Sequence, residues 1–160
     1  MQQTRFLGVI INKKLSWNDH ICTIKGKISK GLGIITRIRH YIPNRILFNL
    51  YYTLVHHYFT YFNIIWATGN STFLNNLFLL QKRAMRIITN SEWREHTLPI
   101  FNRLRVLMVF DINKLQIACF MYKAHHRQIL GYFNHFYSQQ WPSHSHVAFI
   151  YLIYVPISNS

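Results

Sequence analysis

NDHICTIKGKISKGLGIITRIRHYI, residues 18–42, decides the fold class. One apolar set, Ile21, Ile24, Ile28, Leu32, Ile35, Ile38 and Ile42, recurs every three or four positions. That rhythm keeps one side of an α-helix apolar, and a strand would need a period of two. The spacing predicts a helix from about Asn18 to Tyr41. Asn18 is placed to cap its start, with Asp19 favourable in the first turn. Arg37 and Arg39 lie near its end, where cations suit the helix dipole.

Upstream, FLGVII, residues 6–11, reads as one short strand, followed by a turn around Asn12–Lys13–Lys14. Nothing nearby in the sequence reads as its partner, so residues 6–11 are expected to be left unpaired. Downstream, Pro43 stops the first helix and suits the first turn of a second, over about 44–66. Residues 67–70 form a loop broken at Gly69, and Ser71 or Thr72 caps a third helix to about 89. Thr97 precedes Leu98–Pro99 and a short fourth helix to about Leu104, and Asp111 caps a fifth over about 112–126. From Gln128 no clean period remains. The expectation is a mainly α chain, with one short N-terminal strand, about five helices in a thumb-like bundle and an irregular C-terminal tail. The divisions fall at 1–16, 17–127 and 128–160.

Half of the 160 residues are hydrophobic and 16% are aromatic, which excludes a disordered chain. Eighteen Lys and Arg face four acids, Asp19, Glu92, Glu95 and Asp111, for a net charge of +14. A surface this positive repels itself unless a polyanion neutralises it. Nucleic acid is the first candidate partner and an anionic membrane surface the second. No transmembrane segment is expected. The aromatic stretch 46–66 holds Asn49, His56, His57 and Asn63, which hydrocarbon penalises, and residues 147–157 are too short and carry Pro156. No secretory signal is evident, so an intracellular location, nuclear or cytoplasmic, is expected. Cys22 and Cys119 have no paired spacing and read as reduced, buried thiols.

On the first helix, Lys30 and Arg37 point directly away from the apolar stripe, and Lys25 and Lys27 flank it. Gly26 and Gly33 share the outer face, one heptad apart. Glycine inside a helix costs about 1 kcal/mol relative to alanine, so the pair asks for a reason. A smooth strip flanked by cations lets a helix approach a duplex closely, with affinity from counterion release and no sequence preference. A merely solvated face is the plainer alternative. The third helix repeats the pattern: Leu74, Leu77, Leu80, Ala84, Ile87 and Ile88 form the apolar side, and Lys82, Arg83 and Arg86 fall opposite.

Catalytic chemistry finds little material. Four scattered acids do not make a two-metal site. His56–His57 and His125–His126 are adjacent pairs whose rings diverge on a helix, and no carboxylate or cysteine completes a set with His144 and His146. No catalytic residue, metal site or cofactor is assigned, and the chain on its own residues reads as a non-enzyme.

These residues together resemble the C-terminal part of non-LTR retrotransposon reverse transcriptases of the jockey-like LINE type. Leu7, Gly8, Val9, Leu15, Trp17, His20 and Ile21 match its opening pattern. Leu50, Tyr51, Leu54, Tyr61 and Trp66 match a second block, and LQKRAMRIIT, residues 80–89, a third. PIFNRLRVL and FMYK, residues 99–107 and 120–123, follow in order, so the likeness covers roughly residues 5–137. The resemblance implies the end of a palm domain, then a thumb that packs along the primer–template duplex. It also implies that the missing palm is the natural intramolecular partner. The family's metal-binding Tyr-x-Asp-Asp motif has no match here, so the divalent metal of the parent polymerase has no site in this chain. The tail keeps histidines but lacks the family's Thr–Arg step. The expected function is an RNA-directed DNA polymerase fragment without catalytic aspartates, which retains nonspecific affinity for RNA or DNA duplex. The alternatives are a decayed transposon-derived reading frame with no selected function and a cationic membrane-surface protein.

Overall fold

In a computed structural model the chain is mainly helical, with a small antiparallel sheet at its N-terminus. The structure describes residues 3–14, 16–67, 71–126 and 128. The tail expected over 128–160 lies outside the described residues, apart from Gln128.

The apolar run 6–11 is not one unpaired strand. Strand β1, Gln3–Phe6, pairs with β2, Val9–Asn12, in the register Gln3 to Asn12 and Phe6 to Val9. Leu7 and Gly8 form the two-residue turn between them, with φ of 46° and 82°. Two positive φ values suit the twist of a tight hairpin, but the usual signal is Asn-Gly or Asp-Gly. Leucine in the first position hides the turn from a reader of the sequence. Tertiary contacts hold it instead. The Tyr61 hydroxyl donates to the Leu7 carbonyl at 2.7 Å, and Val9 is buried. The Ile10 N–H donates to His20 Nδ1 at 3.3 Å. His20 is only 4% exposed and stands edge-on to Trp66. Because Nδ1 accepts, the ring proton belongs on Nε2. Burial, and then the charge of Lys27, pushes the His20 pKa below its ordinary value.

Helix α1 spans Asn18–Ile38 and buries Ile21, Ile24, Ile28, Leu32 and Ile35, as the spacing predicts. Its start differs in detail. Trp17 takes the cap position without a side-chain bond, and Asn18 lies inside the helix. Asn12 organises the entry: its Oδ1 accepts from the Ser16 N–H at 2.8 Å, and its Nδ2 donates to Ser16 Oγ and Asp19 Oδ2. Cys22 and Cys119 are exposed rather than buried. Cys22 falls on the outer face of α1, away from the isoleucine stripe.

The single helix expected over 44–66 is four segments. Helix α2, Asn44–Tyr51, widens into a π-helical turn, Tyr52–His56, and resumes as α3, His57–Thr60. The chain then breaks at Tyr61 and at Phe62, whose φ is +52°, before α4, Asn63–Trp66. Side chains replace the lost backbone bonds. Buried Asn63 donates to the Phe59 carbonyl at 2.7 Å, and Trp66 Nε1 donates to the Tyr61 carbonyl at 2.9 Å. A buried carbonyl without such a partner would cost about 1–3 kcal/mol.

Helix α5, Ser71–Thr89, packs on α1 and α2. Asn90, at φ +51°, ends it, and the Ser91 N–H reaches back to the Arg86 carbonyl. Helix α6 spans Leu98–Leu104, with Pro99 in its first turn and Thr97 at the cap position without a side-chain bond. Helix α7, Val109–His125, starts three residues before the expected start at 112, so Asp111 sits in its first turn rather than at the cap. Its cap comes from another helix. Fully buried Gln81 on α5 accepts from the Val109 N–H at 2.9 Å and donates to the Leu107 carbonyl at 2.9 Å and Tyr51 Oη at 3.1 Å. A buried pair of side-chain amides joins Asn113 Nδ2 to Asn63 Oδ1.

One close approach fixes the packing of α1. Gly31 is buried, and a Cβ there would stand 2.8 Å from the carbonyl oxygen of Leu54 in the π turn. The core around it mixes aliphatic and aromatic side chains, with Ile28, Ile35, Val55, Phe59, Leu77 and Met85 fully buried. The chain divides into two compact units, Met1–Asn113 and Lys114–Ser160, and the basic surface of α1 and α5 belongs to the first.

Candidate functional site

The outer face of α1 is open. Gly26, Lys27, Lys30, Gly33 and Arg37 are exposed, and Lys25 is half-buried at the edge. A Cβ at Gly26 or at Gly33 would meet nothing within 4 Å. Among the described residues, nothing packs against these two glycines. Lys27 turns to the far flank, where its Nζ lies 5.6 Å from the centre of the Tyr58 ring.

On the other flank, Thr36 and Arg39 at the end of α1 meet Arg83, Arg86 and Ile87 of α5, with Ser91 and Trp93 beyond them. They line a groove of about 470 Å³, within the range of small-ligand sites. Among the described residues, none that lines it is acidic. Lys25, Lys27, Lys30 and Arg37 do not line it, so of the two basic faces expected from the sequence only the α5 face enters this groove, through Arg83 and Arg86. Lys82 does not join them, because its ammonium sits 4.4 Å over the Phe78 ring.

Arg86 is committed geometrically. Its Nε and Nη2 both donate to the Glu95 carbonyl, at 3.3 and 3.0 Å, and its guanidinium lies 5.7 Å from the centre of the Trp93 ring. A turn closed by the Glu95 N–H on the Glu92 carbonyl carries Trp93. The residue is nevertheless 75% exposed. A second groove of about 450 Å³ runs past the same end of α5, lined by Arg45 and Arg103 with Asn44, Phe48 and Thr89. The C-terminal turn of α5 is therefore bordered by arginines on two sides.

Sequence reasoning missed Arg39, Arg45, Arg103 and Trp93 as parts of this surface. Helical spacing places Arg39 on the apolar side and so conceals it, and Trp93 reads as an ordinary loop residue until its neighbours are known. Among the described residues, no three His, Cys, Asp or Glu side chains gather as a metal-binding group. Among them, too, no helix is long and apolar enough to cross a membrane. Comparisons with known protein families, with curated proteins and with solved structures find no match.

Proposed function

We propose that this chain is a thumb-like, nucleic-acid-binding piece of a non-LTR retrotransposon reverse transcriptase, which holds a duplex without regard to sequence and does no chemistry itself. The observation that carries the reading is the open face of α1. Gly26 and Gly33 leave the backbone bare and Lys30 and Arg37 stand on the same helix, exposed, while Arg39, Arg83 and Arg86 line a groove at the end of α1. A bare helical strip lets a phosphate backbone come close, and the flanking cations displace its counterions. Such contacts position a duplex and carry no base information. The net charge of +14 supplies the long-range attraction.

The test is fluorescence anisotropy with a blunt RNA–DNA duplex at several salt concentrations. Affinity should fall linearly on a log–log plot against salt. The double variant Lys30→Glu with Arg37→Glu should bind more weakly and with a shallower slope, by about two units if each cation meets one phosphate. Duplex binding that ignores salt, or that survives the double variant unchanged, would sink the proposal.

A further inference from the structure

The groove beside Trp93 has a feature that duplex binding does not use. Duplex binding by a smooth helix needs cations and no exposed ring. Here an indole that is 75% exposed stands at the rim of an arginine-lined groove. The ring is held in place: Arg86 grips the loop through two hydrogen bonds to the Glu95 carbonyl and lies against the ring. The guanidinium carbon lies 5.7 Å from the ring centre, and most of the indole remains in solvent. Arg39 and Arg83 flank the same groove.

We infer that Trp93 is a stacking platform for an unpaired nucleobase, with the adjoining phosphates on Arg39 and Arg83. The ligand class is single-stranded nucleic acid, as an overhang continuing from a duplex on α1. This rests on the proposed function, because it assumes that α1 receives the duplex. Two requirements of single-strand binding meet at this one place: a cationic groove that follows the backbone and a fixed aromatic face, which every base can use. An acidic peptide would use the arginines but has no need of the ring. Glu92 flanks Trp93 in sequence and is exposed, so it opposes the phosphates, and Glu92→Gln should tighten overhang binding. Arg86 is a positioning residue here, since its hydrogen bonds go to the loop.

The experiment compares a blunt duplex with the same duplex carrying an oligo(dT) overhang of about eight nucleotides, within the site sizes of single-strand binders. The full chain should prefer the overhang by roughly ten-fold, the worth of one stacked base. Trp93→Ala should abolish that preference and leave blunt-duplex affinity unchanged, and Trp93→Phe should restore part of it. Because Trp93 is exposed, both variants should melt like the parent. Three results overturn the inference while the duplex reading stands: no overhang preference, a preference that Trp93→Ala leaves intact, or displacement of the overhang by polyglutamate as readily as by oligo(dT). Loss of binding to every nucleic acid probe overturns both.

Discussion

Three glycines on α1 offer a controlled test of how the helix is packed. Alanine at Gly31 would place a Cβ 2.8 Å from the Leu54 carbonyl oxygen and 3.3 Å from Leu54 Cβ. The nearest obstacle is backbone, so no rotamer change relieves it, and overpacking of this kind costs about 1–3 kcal/mol. Alanine at Gly26 or Gly33 meets nothing within 4 Å. Each of the three substitutions also gains about 1 kcal/mol of helix propensity. That gain is common to all, so subtracting Gly26→Ala from Gly31→Ala isolates the close approach. Gly26→Ala and Gly33→Ala should each raise stability by up to about 1 kcal/mol. Gly31→Ala should fall below Gly26→Ala by about 1–3 kcal/mol. Urea unfolding followed by circular dichroism measures this, provided the slope m stays constant, so that midpoints report stability. If Gly31→Ala stabilises as much as Gly26→Ala, α1 does not lie against the π turn as described.

Gln81→Leu keeps side-chain volume but strands the Val109 N–H and the Leu107 carbonyl and takes one of two partners from the Tyr51 hydroxyl, which keeps His56 Nδ1; a loss of about 2–4 kcal/mol in the same unfolding assay is expected, and a loss below about 0.5 kcal/mol, as at ordinary surface sites, would contradict the buried hub. His20 is held below its usual pKa of 6.5 by burial and then by Lys27. Its stabilising contribution is therefore complete above pH 6.5 and is lost as pH falls through the lowered folded-state value. His56 and His57 are lowered in the same direction, mainly by burial. Stability should thus decline as pH falls from 6.5 to the lowered values and level off below them, with at most about 1.4 kcal/mol per pH unit from His20. His20→Gln should flatten the decline in a pH series of urea midpoints, and an unaltered slope would count against the burial of His20 as the cause of its lowered pKa.

Helices α1 and α5 are legible in the sequence because each buries one stripe against one core, and a stripe has a period. The segment 44–66 is not, because its interruptions are settled by distant or non-periodic partners. Asn63 and Trp66 make the break at Phe62 tolerable by bonding carbonyls that periodicity treats as already paired. The cap of α7 is equally invisible, since Gln81 supplies it from 28 residues away. Among the glycines, Gly26 and Gly33 attract notice because they interrupt a polar face. Gly31 passes as an ordinary residue at the margin of the apolar stripe, although it is the one that meets Leu54. The site divides along the same line. Lys30 and Arg37 follow from a helical wheel, but a wheel extended to Arg39 places it among the apolar positions between Leu32 and Ile35. The helix ends at Ile38, and Arg39 turns toward the groove.

The N-terminal hairpin has a consequence for the order in which the molecule opens. A two-stranded hairpin is marginal alone in water. Here β1 is exposed along its whole length, and attachment rests on Val9 and the bonds from Ile10 to His20 and from Tyr61 to Leu7. Such a segment sits at the low end of the protection hierarchy seen by amide exchange and opens while the helical core stays closed. The opened form then presents Val9, Ile10 and Ile11 as an unpaired apolar strand, a template for another chain. The species that begins self-association would be a nearly native molecule. Its population should follow the free energy of that one local opening rather than the stability of the whole fold.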